Sequence, residues 1–153
     1  MAISDTELIR AWTQVLNLSK LKRGDAVTVL TSDHTHPQTL RCAITSATML
    51  GACVSQLNLP PVNGEKSLSR DTLAYLGTTP LTGNRAAIAA MKASDLVLDL
   101  MTLLFSPEQH EILASGTKIL LAVEPPEVLA RLVPTLEDYE RVQAGVALLK
   151  GRR

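Results

Sequence analysis

Apolar residues along this chain follow two patterns that alternate from one end to the other. Short, largely apolar runs predict four strands near residues 26–31, 53–58, 95–100 and 117–123, of which the second is the weakest. Such runs are typical of parallel strands that helices cover on both faces. The segments between them repeat apolar residues at intervals of three and four, the spacing of a helix with one buried face.

Residues that cap helices mark where the predicted helices begin. The segment Ser4–Glu7 has the pattern of a capping box before the first helix. Pro37 suits the first turn of the second helix, where its missing N–H is harmless. Asn84 caps an alanine-rich helix, and Ser106–Gln109 predicts a second capping box. These signals agree with the apolar periodicity on where the helices start.

The resulting order of elements is α-β-α-β-loop-α-β-α-β-α-α, which predicts parallel strands joined by helical crossovers. We therefore predict one Rossmann-like, three-layer α/β domain over residues 1–153, with a four-stranded parallel sheet. Residues 60–83 form a long Pro- and Gly-rich excursion, and Leu136–Lys150 forms an amphipathic last helix. We expect both segments to expose apolar surface and to drive self-association.

Charge and composition exclude several classes of protein. Lys and Arg number 15 and so do Asp and Glu, with no basic run, which argues against a nucleic-acid partner. One Trp, two Tyr and one Phe supply no base-stacking platform, and two cysteines supply no disulfide framework. No apolar run approaches the roughly 18 residues of a membrane span, and the N-terminus lacks a signal-peptide pattern. We expect a cytoplasmic protein with no membrane partner.

Candidate chemistry in such a fold lies beyond the carboxyl ends of the strands. The segments expected there are Ser32–His34, Asn58–Leu59, Met101–Ser106 and Glu124–Pro125. A glycine-rich phosphate loop follows none of the predicted strands, which argues against a nucleotide site.

The first of these segments runs into two closely spaced histidines. Asp33, His34 and His36 offer a carboxylate and two imidazoles, a set that holds iron or zinc in other proteins. The alternative is that Asp33 or Thr35 caps the next helix and that both histidines are exposed. The remaining histidine, His110, is predicted to lie on a helix away from this edge.

Three further residues are weaker candidates. Cys42 falls within a helix and Cys53 at the start of a strand, where small buried side chains are typical and a reactive thiolate is not. Glu124, just past the last strand, is either a buried acid with a raised pKa or a residue that caps or pairs near the next helix.

The segment Ile119–Arg131, with its Glu-Pro-Pro-Glu core, resembles the N-terminal region of the 2,5-dihydroxypyridine 5,6-dioxygenases. The segments Leu81–Ala87, Leu103–Leu104 and Ser106–Gln109 and the first helix fit the same family, so the resemblance covers nearly the whole chain. The family is related in sequence to metallo-aminopeptidases of the aminopeptidase T type.

The resemblance implies an enzyme about twice this length that opens a pyridine ring with molecular oxygen in nicotinic acid degradation. It implies a non-haem Fe(II) held by two histidines and one carboxylate in a C-terminal catalytic domain that this chain lacks. On this basis His34 and His36 are not metal ligands, no residue here inherits a catalytic role, and the chain alone is expected to hold no iron and to be inactive.

The resemblance also implies an acid–base histidine at the position of Phe105, and phenylalanine cannot transfer a proton. We expect Leu104, Phe105 and Ser106 to bind the aromatic substrate, with Phe105 stacking on its ring. The alternative is that Phe105 is a single aromatic residue packed beneath a loop. The expected partners are the C-terminal catalytic domain and further copies of the chain. Two alternatives remain: a stand-alone, non-catalytic assembly module and a fragment of an aminopeptidase T-like metallopeptidase.

Overall fold

The computed structural model describes residues 3–59, 79–103 and 105–151. These residues form an α/β domain in which helices and strands alternate as the sequence predicts. The elements in chain order are α1 (Asp5–Leu18), β1 (Ala26–Thr31), α2 (Pro37–Met49), β2 (Cys53–Asn58), α3 (Arg85–Lys92), β3 (Leu96–Asp99), α4 (Pro107–Ala114), β4 (Lys118–Leu121), α5 (Pro126–Leu129) and α6 (Leu136–Lys150).

The four strands form one parallel sheet in the order β2-β1-β3-β4. In register, Val27 of β1 lies beside Val54 on one side and Leu96 on the other, and Leu96 lies beside Lys118. The predicted parallel sheet is confirmed. Strand β3 is one residue shorter at each end than the predicted run 95–100. Strand β4 is one residue shorter at its start and two residues shorter at its end than the predicted run 117–123.

Helices cover both faces of this sheet and give the predicted three layers. On one face Val27 and Val29 pack with Leu8 and Trp12 of α1 and with residues of α2 and α5. On the other face Leu30 packs with residues of α3 and α4. Alternate residues of β1 point to opposite faces, as the pleat of a strand requires, so the sheet is sandwiched between two apolar clusters.

Strand β2 departs from the expectation of a strand buried on both faces. It lies at one edge of the sheet, and four of its six residues are exposed. Cys53 is one of them, so the expected burial of this cysteine is wrong, whereas Cys42 is buried as predicted. Burial raises the pKa of the Cys42 thiol, as suits an inert core cysteine.

The starts of α1, α3 and α4 have the predicted caps, with one change of hydrogen-bond partner. Ser4 and Glu7 form a complete capping box, and Asn84 accepts a hydrogen bond from the Ala87 N–H. Ser106 Oγ accepts from the Gln109 N–H at 3.0 Å. The Gln109 side chain accepts from the N–H of Phe105 rather than of Ser106, which ties residue 105 to α4.

Helix α6 has the predicted bounds, but none of its residues is buried. Just before it, Gln14 of α1 donates a side-chain hydrogen bond to the Pro134 carbonyl. The expectation that α6 exposes apolar surface is confirmed. The corresponding expectation for the excursion at 60–83 falls largely on residues 60–78, which lie outside the described residues. In the part of the chain that the structure describes, no helix is long and apolar enough to cross a membrane.

Candidate functional site

The order of the strands places the switch point of the sheet between the carboxyl ends of β1 and β3. From β1 the chain moves outward to β2 at one edge of the sheet, and from β3 it moves outward to β4 at the opposite edge. Open α/β sheets bind ligands where the direction of winding changes in this way. The described residues that follow these two strands, 32–36, 100–103 and 105–106, overlap the predicted edge segments Ser32–His34 and Met101–Ser106.

Thr35 connects the two segments. Its hydroxyl accepts a hydrogen bond from the Ser32 N–H at 3.0 Å and donates one to the Leu100 carbonyl at 3.1 Å. Thr35 therefore closes the turn after β1 and holds it against the chain that leaves β3. The hydroxyl is not free to cap α2.

The cap of α2 is instead His36, whose Nδ1 accepts from the Gln38 N–H at 3.2 Å. The expectation that Asp33 or Thr35 caps this helix is therefore wrong, while the expected exposure of His34 and His36 is confirmed. A neutral imidazole that accepts at Nδ1 carries its proton on Nε2. Neither nitrogen of His36 then offers a free lone pair to a metal ion while the cap is in place.

The described residues do not fit a two-histidine, one-carboxylate metal site. Within residues 3–59, 79–103 and 105–151, no three His, Cys, Asp or Glu side chains converge to hold a metal ion. All three histidines of the sequence fall in these ranges, and His110 is exposed on α4. The metal interpretation of Asp33, His34 and His36 is therefore not supported by the geometry.

The carboxylate that organises the chain after β3 is Asp99, the last residue of that strand, which is 0% exposed. Its Oδ1 accepts from the N–H groups of Met101 and Thr102 at 3.0 and 2.8 Å, and its Oδ2 accepts from Leu103 at 2.7 Å. Burial raises the pKa of this carboxyl, and the three backbone hydrogen bonds act in the opposite direction.

Sequence analysis missed Asp99 because it lies inside an apolar run. The one available signal was a single acid at the last position of a buried strand, since buried acids are rare unless their oxygens are satisfied.

The loop that Asp99 holds contains two residues with left-handed backbone. Thr102 has φ 77° and Phe105 has φ 60°, a conformation that is uncommon for residues other than glycine. The cost is of order 1–2 kcal/mol for each residue, so surrounding contacts must maintain the shape. Hydrogen bonds from the Ser106 N–H to the Leu103 carbonyl and from the Phe105 N–H to Gln109 supply those contacts.

Two of the three predicted substrate-binding residues, Phe105 and Ser106, lie in different environments. Phe105 is 67% exposed, so its ring faces solvent at the carboxyl edge. Ser106 is fully buried and its hydroxyl caps α4, so it fixes the end of the loop. Leu104 lies outside the described residues. The arrangement presents one aromatic ring on a backbone that is held at both ends.

The other two edge segments contribute less. Asn58 at the end of β2 accepts a hydrogen bond from the buried hydroxyl of Thr31 at 2.9 Å. Glu124 is exposed, so it is not a buried acid. Pro125 precedes α5 and no side chain caps that helix, so Glu124 does not cap it either.

A shallow depression on α1 does not belong to this edge. It is lined by Arg10, Thr13, Gln14, Asn17 and Leu18, all from one helix. The polar groups described above lie elsewhere, so the depression adds nothing to the candidate site.

Comparisons with known proteins agree on one family. The sequence model of the 2,5-dihydroxypyridine 5,6-dioxygenases matches residues 7–153. The curated 2,5-dihydroxypyridine 5,6-dioxygenase of Pseudomonas putida KT2440 is 47% identical over all 153 residues, which span 44% of that protein. The solved structure of the dioxygenase from the same organism superposes with a TM-score of 0.88, over 97% of this chain and 43% of that one.

A more distant structural likeness shows the fold alone. The N-terminal domain of FACL13 from Mycobacterium tuberculosis has a TM-score of 0.50 and 15% identity, over 87% of this chain and 30% of that one.

Replacing Asp99 by Asn tests its part in the loop. We expect Asp99→Asn to lower the free energy of unfolding by about 1–3 kcal/mol, because an amide has one acceptor oxygen and its NH₂ group would face a backbone donor. The matched control is Asp95→Asn, since Asp95 is exposed and accepts one backbone N–H, from Ala26. Chemical denaturation of both variants measures the difference. Equal losses would contradict the role given to Asp99.

The pH dependence of this difference follows from the raised pKa of Asp99. A carboxyl whose pKa rises on folding stabilises the fold most below its unfolded pKa, and this contribution is lost as the pH rises through the folded pKa. The stability gap between the wild type and Asp99→Asn should therefore be largest below about pH 4 and shrink as the pH rises. A gap that widens with rising pH would show that folding lowers the pKa instead.

Proposed function

Because the chain belongs to the 2,5-dihydroxypyridine 5,6-dioxygenase family, we propose that it is the N-terminal domain of a ring-cleaving dioxygenase that acts on 2,5-dihydroxypyridine. The observation that carries this proposal is the 47% identity over the full 153 residues, within a relative of which the chain spans 44%. The chemistry of ring opening is then shared between this domain and the part of such an enzyme that the chain does not span.

The proposal assigns Fe(II) to that other part. The described residues do not fit an iron site, and His36 is occupied as a helix cap. We therefore expect the chain by itself to bind no catalytic iron and to cleave no ring, and we derive no step of the reaction from its histidines.

Within this chain the proposal gives the loop of Leu104, Phe105 and Ser106 the task of binding the substrate ring. The exposed ring of Phe105 can stack on a dihydroxypyridine in an offset or edge-to-face arrangement. Asp99 and Gln109 hold the backbone on either side, so little ordering cost accompanies the contact. Phe105 has no proton to give, so its role is to orient the ring.

The proposed partners are a C-terminal catalytic region and further copies of the chain, in the cytoplasm. The exposed apolar residues of α6 support an assembly, because large apolar patches on a protein surface mark interaction sites. The free cysteines Cys42 and Cys53 suit a reducing compartment.

A second candidate is a non-catalytic assembly module. The residue Phe105, where the resemblance implies an acid–base histidine, favours it. The two candidates differ in whether the loop binds a dihydroxypyridine.

The first test is an activity assay of the 153-residue chain with Fe(II), oxygen and 2,5-dihydroxypyridine. We expect no ring cleavage and no stoichiometric iron, because the described residues bring no three ligands together. The Pseudomonas putida relative assayed in parallel shows that the conditions support turnover. Iron binding at one equivalent together with product formation would overturn the assignment of iron to another region.

The second test is an NMR titration of the chain with 2,5-dihydroxypyridine. We expect saturable shifts of amides in residues 32–36 and 100–106, and their loss in Phe105→Ala, since stacking on the ring supplies the contact. The control Tyr139→Ala removes another exposed aromatic ring, far along the chain on α6, and should leave the shifts unchanged. Absence of saturable shifts in the wild-type chain would favour the assembly module.

A further inference from the structure

The start of α2 is held by a side chain whose charge ordinarily changes near neutral pH. The Nδ1 atom of His36 accepts the Gln38 N–H at 3.2 Å, and the residue is exposed to water. Histidine is the one side chain that ordinarily gains or loses a proton between pH 5 and pH 8. The side-chain caps of the other helices are hydroxyl or amide oxygens, which keep their lone pairs over this range, on Ser4, Asn84, Ser106 and Thr135.

We propose that protonation of His36 uncaps α2 and loosens the turn of residues 32–36, so that the carboxyl edge of the sheet carries an acid-sensitive switch. A proton on Nδ1 replaces the accepting lone pair by a donor, and the Gln38 N–H then faces another N–H group. The imidazolium also places a positive charge at the N-terminus of a helix, which the helix dipole disfavours. Both effects act in the same direction.

The first turn of α2 is anchored independently of the cap. The Gln38 side chain donates to the Ile3 carbonyl at 3.0 Å and to Asp5 Oδ1 at 2.9 Å. Arg41 of α2 forms a salt bridge with the same aspartate. These bonds hold the start of α2 against the start of α1, so loss of the cap releases the His36 ring and the turn before it, while the helix stays in place.

The turn is joined to the neighbouring loop through the residue just before the cap. Thr35 accepts the Ser32 N–H and donates to the Leu100 carbonyl, and Leu100 leads into the loop that Asp99 holds. Because Thr35 and His36 are consecutive, backbone freedom gained at the cap acts directly on both bonds. The state of one imidazole is thereby coupled to the contact between the two segments at the switch point.

Two titratable side chains share the turn with His36, and a third follows β3. Asp33 and His34 are exposed. Asp99 is buried, and burial raises its pKa. Its titration is common to all the variants compared below, so a difference between them does not come from Asp99.

The charged groups on the helices that meet at this point stay in one state in weak acid. The hydrogen bond from Arg41 lowers the pKa of Asp5, and the hydrogen bond from Ser4 lowers that of Glu7. Burial raises the pKa of the Cys42 thiol in α2. Strand β1 has no titratable side chain, and β2 has one, Cys53 at its amino end. His36 and His34 are therefore the groups that the experiment has to separate.

The inference goes beyond the proposed function and does not depend on substrate binding at Phe105. The first experiment measures chemical denaturation of the 153-residue chain at about pH 7.5 and about pH 5, on either side of the histidine range. His36→Asn supplies a preferred cap whose acceptor does not titrate. Between these pH values we expect the unfolding equilibrium constant to rise about fivefold more in the wild type than in His36→Asn, the typical effect of a lost cap.

The matched control is His34→Asn, which removes the other histidine of the turn and keeps the cap. It should show the pH dependence of the wild type. Equal pH dependence in the wild type and in His36→Asn would overturn the inference, because the cap would then contribute equally at both pH values.

The second experiment follows backbone amides by NMR over the same pH range. The Gln38 amide reports on the cap, and the Ser32 amide reports on Thr35. We expect both to shift along one titration curve in the wild type and in His34→Asn, and neither to follow that curve in His36→Asn.

Two NMR results would contradict the switch. A shift of Gln38 without Ser32 would confine the change to the end of the helix, and loss of the titration in His34→Asn would assign it to His34. A failure of 2,5-dihydroxypyridine to bind would count against the proposed substrate site and would leave these pH results unchanged.

Discussion

The candidate site depends on one buried carboxylate that accepts three backbone hydrogen bonds. Asp99 ends a central strand, where its side chain is removed from water, and such burial is costly unless both oxygens are satisfied. The N–H groups of residues 101–103 meet that need only when the chain turns sharply after the strand. The requirement of a single side chain therefore fixes the path of the loop.

The shape of the loops at the carboxyl ends of β1 and β3 depends on that turn. The strain of left-handed backbone at Thr102 and Phe105 is tolerated because hydrogen bonds hold the loop at both ends, to Asp99 and to Gln109. Thr35 joins the turn after β1 to the same loop through the Leu100 carbonyl. The outcome is an exposed aromatic ring on a constrained backbone at the switch point of the sheet, which is the property that a binding loop requires.

Local patterns predicted most of the fold, and they failed where the order of the strands or an uncommon local hydrogen bond decides the outcome. Apolar runs and caps gave the parallel sheet and the helix starts, because those signals act within a few residues. The exposure of Cys53 depends on β2 being an edge strand, which the order of strands decides. The partners of His36 and Asp99 are only two to four residues away. They were missed because histidine is not among the preferred N-cap residues and because a single acid does not disturb the pattern of an apolar run. Composition gave no signal for any of them.

Amide hydrogen exchange of Met101, Thr102 and Leu103 tests most directly whether Asp99 holds the loop. If the carboxyl accepts all three N–H groups, these amides should exchange at least about a hundredfold more slowly than in an unstructured peptide, although they lie outside any helix or strand. In Asp99→Asn at least one of the three should lose that protection. Exchange of all three at the unstructured rate in the wild-type chain would contradict the account.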